Sequence, residues 1–248
     1  MHSELLRIGP LTIHSYGVML ALAFLAGILW ARREARAAGM PPEWILDAGV
    51  YVIVLSILFG RLLYVILDIN YYLQHPSEII NIQMGGLSLH GGVAGGALGV
   101  MYFCWRRKVG VFKFGELVIP SLALGTAIGR IGCFLNGCCH GKSSVAPWAI
   151  ALPELKDGGI LRHPTQLYES LLCLLLFFFL LFMKRYRRKD GDLFAFYLMG
   201  YSVVRFVVEF YRAGASSVIG WIGFTYAQWL SIAVFVFGMF LWRRKQSK

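Results

Sequence analysis

Charge is scarce in this 248-residue chain, and negative charge scarcest: 13 Asp and Glu stand against 24 Lys and Arg, and charged residues make up only 15%. A soluble domain carries about 25%, so water is a poor candidate for the solvent this chain faces. Ser/Pro-rich linkers and low-complexity tracts are missing, and no internal repeat is evident. The chain therefore reads as one domain, residues 1–248. The first apolar run is preceded by no basic segment and followed by no small-residue cleavage site, and its positive cluster, Arg32, Arg33 and Arg36, comes after it. A removable signal peptide is not expected there.

What fills the chain is apolar: 58% of residues are hydrophobic. Apolar runs near or above about 18 residues mark membrane helices. Seven are visible, at roughly 14–31, 44–67, 87–105, 114–135, 167–183, 193–211 and 221–242. The expected fold is an all-α integral membrane protein of about seven transmembrane helices.

The net charge of +11 raises nucleic acid as a partner, but the position of the charge argues against it. Sixteen of the 24 Lys and Arg collect at four segment ends, around 32–36, 106–113, 184–189 and 243–248, against five at the opposite ends. This is the positive-inside bias. It places the N-terminus outside, the C-terminus in the cytoplasm, and the 68–84, 136–165 and 212–222 loops outside. The 136–165 excursion, with Pro147, Pro153, Pro164 and Gly158-Gly159, favours turns and is expected to form a small external cap.

Residues 85–99 contain seven glycines and His90. Two readings stand: close helix packing through small residues, or irregular backbone lining a polar cavity. His90, central in the cluster, favours the second, and its titration range suits a general base.

Arg61, Arg130 and Arg205 lie in apolar surroundings, where each costs roughly 2.5–3.5 kcal/mol at a helix centre. Such residues face a partner, a cavity or, near an interface, water. Tyr201, Arg205 and Glu209 are spaced by four and share one helical face; Glu209 can hold the Arg205 guanidinium in one orientation. Two arginines near the outer leaflet would make a fork for phosphate. Of the five cysteines, Cys104 and Cys173 read as apolar core or lipid-facing residues. Cys133, Cys138 and Cys139 precede His140, but their spacing fits no common zinc pattern. A Cys133–Cys138 disulfide and free thiols are both open.

At these residues the chain resembles the prolipoprotein diacylglyceryl transferase family of bacterial inner membranes. The resemblance is carried by Ile13-His14-Ser15-Tyr16-Gly17, Gly60-Arg61, the run from Gly85 through His90 to Gly92, Gly129-Arg130-Ile131-Gly132, the run from Arg162 to Glu169, and the Tyr201/Arg205/Glu209 stripe. It implies that His90, Arg130 and Arg205 are catalytic, and that Tyr16, Arg61, Gly91, Asn136, Tyr201 and Glu209 bind substrate. It implies phosphatidylglycerol and the lipobox of a prolipoprotein signal peptide as partners, with surrounding membrane lipids. No cofactor, metal or nucleic acid is implied. The product is a thioether, and glycerol phosphate is released. The chain departs from the family pattern where Cys133 replaces an asparagine and an acidic residue gives way to Cys138-Cys139; Asn136 remains.

Chemically, a thiol of pKa about 8.5 needs a base near neutral pH, and the departing phosphate gains negative charge in the transition state, where fixed cations act best. A paralogue with another lipid donor or thiol acceptor is the first alternative. A transporter is the second, though the repeated broken helices of that class are not seen.

Overall fold

The computed structural model describes residues 4–8, 11–81, 86–155, 158–214 and 223–243, with side chains from residue 14 onward except that of Glu154. Strands β1 (Glu4–Ile8) and β2 (Leu11–His14) pair antiparallel and lead into helix α1 (Ser15–Ala37). Then follow α2 (Glu43–Leu67), the short α3 (Ile69–Gln74), α4 (Leu89–Arg107) and α5 (Val111–Leu135). After the two-residue strands β3 (Ile150–Ala151) and β4 (Leu161–Arg162) come α6 (Thr165–Met183), α7 (Asp192–Tyr211) and α8 (Tyr226–Arg243). The protein is an all-α integral membrane protein. Six helices among the described residues are long and apolar enough to cross a bilayer: α1, α2, α5, α6, α7 and α8. The expected span at 87–105 forms the 19-residue α4, in which five glycines dilute the apolar content.

The chain divides into two compact units, residues 32–115 and residues 1–31 with 116–248. In the first of these, α2 and α4 pack against each other over much of their length. Gly91, Gly95 and Gly99, spaced by four, form one buried face of α4. A Cβ at Gly91 would run into the Phe59 carbonyl oxygen, one at Gly95 into that of Leu55, and one at Gly99 would come within 2.9 Å of the Tyr51 backbone. Close packing thus accounts for Gly91, Gly95 and Gly99. Non-helical backbone is confined to the approach, where Gly86 takes φ 87° and extended Ser88 caps the helix. The last turn carries Arg106 and Arg107, which complement the negative end of the helix dipole.

In the other unit, Ile119 and Ala123 of α5 pack with Leu176, Phe177 and Leu180 of α6 and Leu193 of α7. A second cluster joins Ala127, Cys173, Val204 and Val208. Gly200 and Gly238 bring α7 against α6 and α8; a Cβ on Gly238 would lie 2.9 Å from Met199 Cγ. Two buried acids fasten the basic turn between α6 and α7. Glu116 accepts from the Gly191 N–H at 2.8 Å and pairs with Arg187; Asp192 accepts from the Arg188 N–H at 2.8 Å. Glu116 thereby satisfies N–H groups at the start of α7, those of Gly191 and Leu193, and Asp192 ties down the turn before it. Outward faces bear large apolar side chains, among them Phe24, Leu29, Leu171, Phe178 and Phe240, as expected where hydrocarbon is the solvent.

Candidate active site

Arg130 sits near the C-terminal end of α5, and Arg205 sits on α7. Between them stands Glu169 of α6. Its Oε1 accepts from Arg130 Nη2 at 2.8 Å, and its Oε2 lies 3.8 Å from Arg205 Nη1. The Tyr201 hydroxyl donates to the same carboxylate at 3.4 Å. One turn along α7, Glu209 accepts from Arg205 Nη2 at 2.8 Å and from Thr225 Oγ1 at 3.3 Å. The i, i+4 spacing read from the sequence is therefore an ion pair.

The two acids and two bases differ in exposure. The carboxylates are only 3% and 2% exposed, whereas the Arg130 and Arg205 side chains are 19% and 18% exposed. The acids are the more deeply buried and hold the guanidiniums, each of which keeps a small exposed fraction. Arg205 Nη1 is sealed from solvent yet has no hydrogen-bond partner among the described residues. A buried cationic donor with spare capacity suits an anionic ligand bearing several acceptor oxygens.

Tyr16, in the first turn of α1, packs against Gly132, where a Cβ would lie 3.3 Å from its ring and 2.9 Å from Met19 Cβ. Gly132 thus lets α1 reach α5 half a turn from Arg130. Asn136 directly follows α5, its N–H bonded to the Gly132 carbonyl at 3.0 Å. Tyr16, Arg130, Asn136, Tyr201, Arg205 and Glu209 accordingly belong to one unit.

Arg61, His90 and Gly91 belong to the other. Arg61 donates to the carbonyls of Ile79 (2.9 Å), Gly86 (2.9 Å), Glu78 (2.6 Å) and Asn81 (3.1 Å), with Tyr64 and Tyr72 against its guanidinium. It clasps the loop before α4. His90 is an exposed residue in the first turn of α4, and Gly91 is buried against α2.

The 136–165 excursion is sewn to the ends of α6 and α7. Lys142 bonds the Tyr211 carbonyl through its N–H at 2.8 Å and the Phe210 carbonyl through Nζ at 3.0 Å. Thr165 Oγ1 donates to the Cys139 carbonyl at 3.0 Å, and Gln166 Nε2 to that of Cys138 at 2.6 Å. The two short strands pair antiparallel within this segment. All five cysteines are free thiols. Cys133, Cys138 and Cys139 nevertheless gather with their sulfurs within 4.8 Å of one another. The Cys139 thiol is pulled below the usual range by its hydrogen bond with Cys133, with Arg212 and Arg130 adding to the effect.

Glu169 received no role from the sequence, although it lies in a recognised motif. Two signals point to it: it is the lone acid in the 167–183 run, and Glu209 is assigned to Arg205, which leaves Arg130 in want of a counter-charge.

A family model for prolipoprotein diacylglyceryl transferase matches residues 3–244. The phosphatidylglycerol–prolipoprotein diacylglyceryl transferase of Clostridium tetani (strain Massachusetts / E88) is 34% identical over 243 residues, covering 97% of this chain and 96% of its own. The Geobacillus kaustophilus (strain HTA426) protein of the same name is 35% identical over 252 residues, covering 98% and 92%. That of Bacillus cereus (strain G9842) is 37% identical over 210 residues, covering 82% and 78%. With the motifs in order, the apolar helices and a match over nearly the whole length, the chain belongs to the prolipoprotein diacylglyceryl transferase family.

Proposed function

We propose that this protein transfers the diacylglyceryl group of phosphatidylglycerol to the lipobox cysteine thiol of a prolipoprotein. In the reaction a sulfur–carbon bond forms and the carbon–oxygen bond to phosphate breaks. The thiol proton leaves to a base, and glycerol phosphate departs with the bonding electrons. The phosphodiester carries one negative charge and the leaving monoester approaches two. Arg130 and Arg205 stabilise that added charge, which appears only on the way to the transition state. Glu169 and Glu209 orient the two guanidiniums, and Tyr16, Tyr201 and Asn136 contact the headgroup. His90 takes the thiol proton. Arg61 and Gly91 serve substrate binding through the loop and the helix packing in which they stand.

The observation that carries this reading is the Arg130–Glu169–Arg205–Glu209 cluster, in which two partly exposed cations are held by two buried acids. The names of the relatives supply the donor and acceptor. The distribution of Lys and Arg supports an outside N-terminus and a site toward the outer leaflet of the bacterial inner membrane.

Purified protein in detergent, given phosphatidylglycerol and a lipobox peptide, is expected to yield a diacylglyceryl adduct by mass spectrometry and free glycerol phosphate. His90→Asn is expected to slow transfer by about 10²–10⁴-fold, the usual share of a general base. Arg130→Ala is expected to slow it by about 10²–10³-fold. Absence of the adduct with folded wild-type protein would overturn the assignment.

A further inference from the structure

The trio Cys133, Cys138 and Cys139 lies beside the arginine cluster, and the transfer reaction gives it no task. Each thiol is half-buried, and the three sulfurs lie within 4.8 Å of one another. Thiolates bound to one zinc-sized ion at about 2.3 Å stand roughly 3.8 Å apart in a tetrahedral set. The gathered sulfurs exceed that spacing by at most about 1 Å. We propose that these three thiols bind one soft, thiophilic metal cation of the zinc, cadmium or cuprous type.

The turn that gathers them is built for the purpose. Cys133 occupies the last turn of α5, and the Cys138 N–H bonds back to the Cys133 carbonyl at 3.1 Å. Gly137 at φ 71° reverses the chain. Cys139 itself takes φ 60°, a left-handed conformation that a non-glycine residue keeps only where its surroundings enforce it. The enforcing groups are Thr165 and Gln166, each 1% exposed, which hold the Cys139 and Cys138 carbonyls from α6. Both ends of the turn are thus tied down, and both thiols are returned toward Cys133.

The donor set fixes the class of ligand. Three sulfurs select soft cations and reject magnesium and calcium, which require oxygen. Three thiolates around a divalent ion carry one net negative charge, and Arg212 and Arg130 favour negative charge at Cys139. Three protein ligands satisfy a trigonal cuprous ion, or leave a tetrahedral ion one position for water. Binding releases thiol protons to solvent and moves no electrons. The linear spacing of the cysteines disguises this site, because the turn rather than a metal-binding motif brings them together.

The test uses the full-length protein in detergent, reduced with a phosphine, desalted without oxygen and titrated with cadmium ion. The expected result is one cadmium per chain, a sulfur-to-cadmium charge-transfer absorption, and three sulfur neighbours by X-ray absorption spectroscopy. Cys138→Ser and Cys139→Ser are expected to weaken binding at least as much as loss of an outer partner does, about 10–100-fold. Cys104→Ser and Cys173→Ser should leave it unchanged. Should a serine variant fail to fold, the wild-type protein still decides. Cadmium must protect Cys133, Cys138 and Cys139 from alkylation, as mapped by peptide mass spectrometry. Equal alkylation with and without cadmium, oxygen or nitrogen neighbours alone, or a disulfide among the three that survives reduction would overturn the proposal.

Discussion

Glu169 stands between Arg130 and Arg205, bonded to the first at 2.8 Å and 3.8 Å from the second. One carboxylate on α6 thereby sets the spacing of two guanidiniums carried by α5 and α7. Glu169→Gln keeps the shape and removes the charge. Breaking a buried ion pair by removing one partner costs about 3–5 kcal/mol, and the Arg130 and Arg205 side chains here are less than one-fifth exposed. We expect a lowered unfolding temperature in detergent, and transfer reduced further than the loss of folded protein explains. Wild-type turnover by the folded variant would show that the arginines keep their spacing without it.

Arg205 uses one nitrogen on Glu209 and keeps another close to Glu169. A lysine brings the same charge but not the planar fork. Arg205→Lys is therefore expected to lose about 10²–10³-fold in transfer rate, close to the loss in Arg205→Ala. Initial rates with saturating peptide check this, and near-normal transfer by the lysine variant would remove the bidentate argument.

Gly95 tests the packing of α4 on α2. Its missing Cβ is what allows the Leu55 carbonyl to approach. Gly95→Ala should destabilise the protein by about 1–3 kcal/mol, the usual cost of overpacking. Gly49→Ala, whose Cβ meets nothing within 4 Å, should be neutral or slightly stabilising. Thermal unfolding of the two variants side by side gives the comparison.

Arg61 holds four carbonyls of the loop before α4. Hydrogen bonds to a charged group contribute about 1.5–3 kcal/mol each, and a single ammonium cannot reach all four. Arg61→Lys should speed amide exchange around Glu78–Asn81, read by hydrogen–deuterium exchange mass spectrometry. Unchanged exchange there would mean that the loop keeps its shape without the clasp.

Local patterns were legible in the sequence, and distant pairings were not. The spacing of Tyr201, Arg205 and Glu209 announced a shared face, and the i, i+4 pair is present at 2.8 Å. The apolar runs announced the helices, because hydrocarbon demands long uninterrupted segments. Glu169 remained unassigned because its partner Arg130 is 39 residues away, beyond any helical period. Arg61 reads as an intramembrane cation, yet it bonds to carbonyls, which carry no residue-type signal. The glycines of α4 left two readings open because glycine serves both close packing and irregular backbone. Only the approach of Gly91, Gly95 and Gly99 to the α2 backbone separates them.

The bridge from α6 to α5 also bears on how the protein is made. Arg130 leaves the ribosome 39 residues ahead of Glu169, so α5 reaches the translocation machinery carrying a cation whose counter-charge has yet to be synthesised. A cation alone in lipid costs roughly 2.5–3.5 kcal/mol at a helix centre and less toward a helix end, where Arg130 sits. Paired with Glu169, it enters as part of a neutral unit. The economical order of biogenesis is therefore a helical hairpin, with α5 retained at the lateral gate until α6 arrives and the two released together.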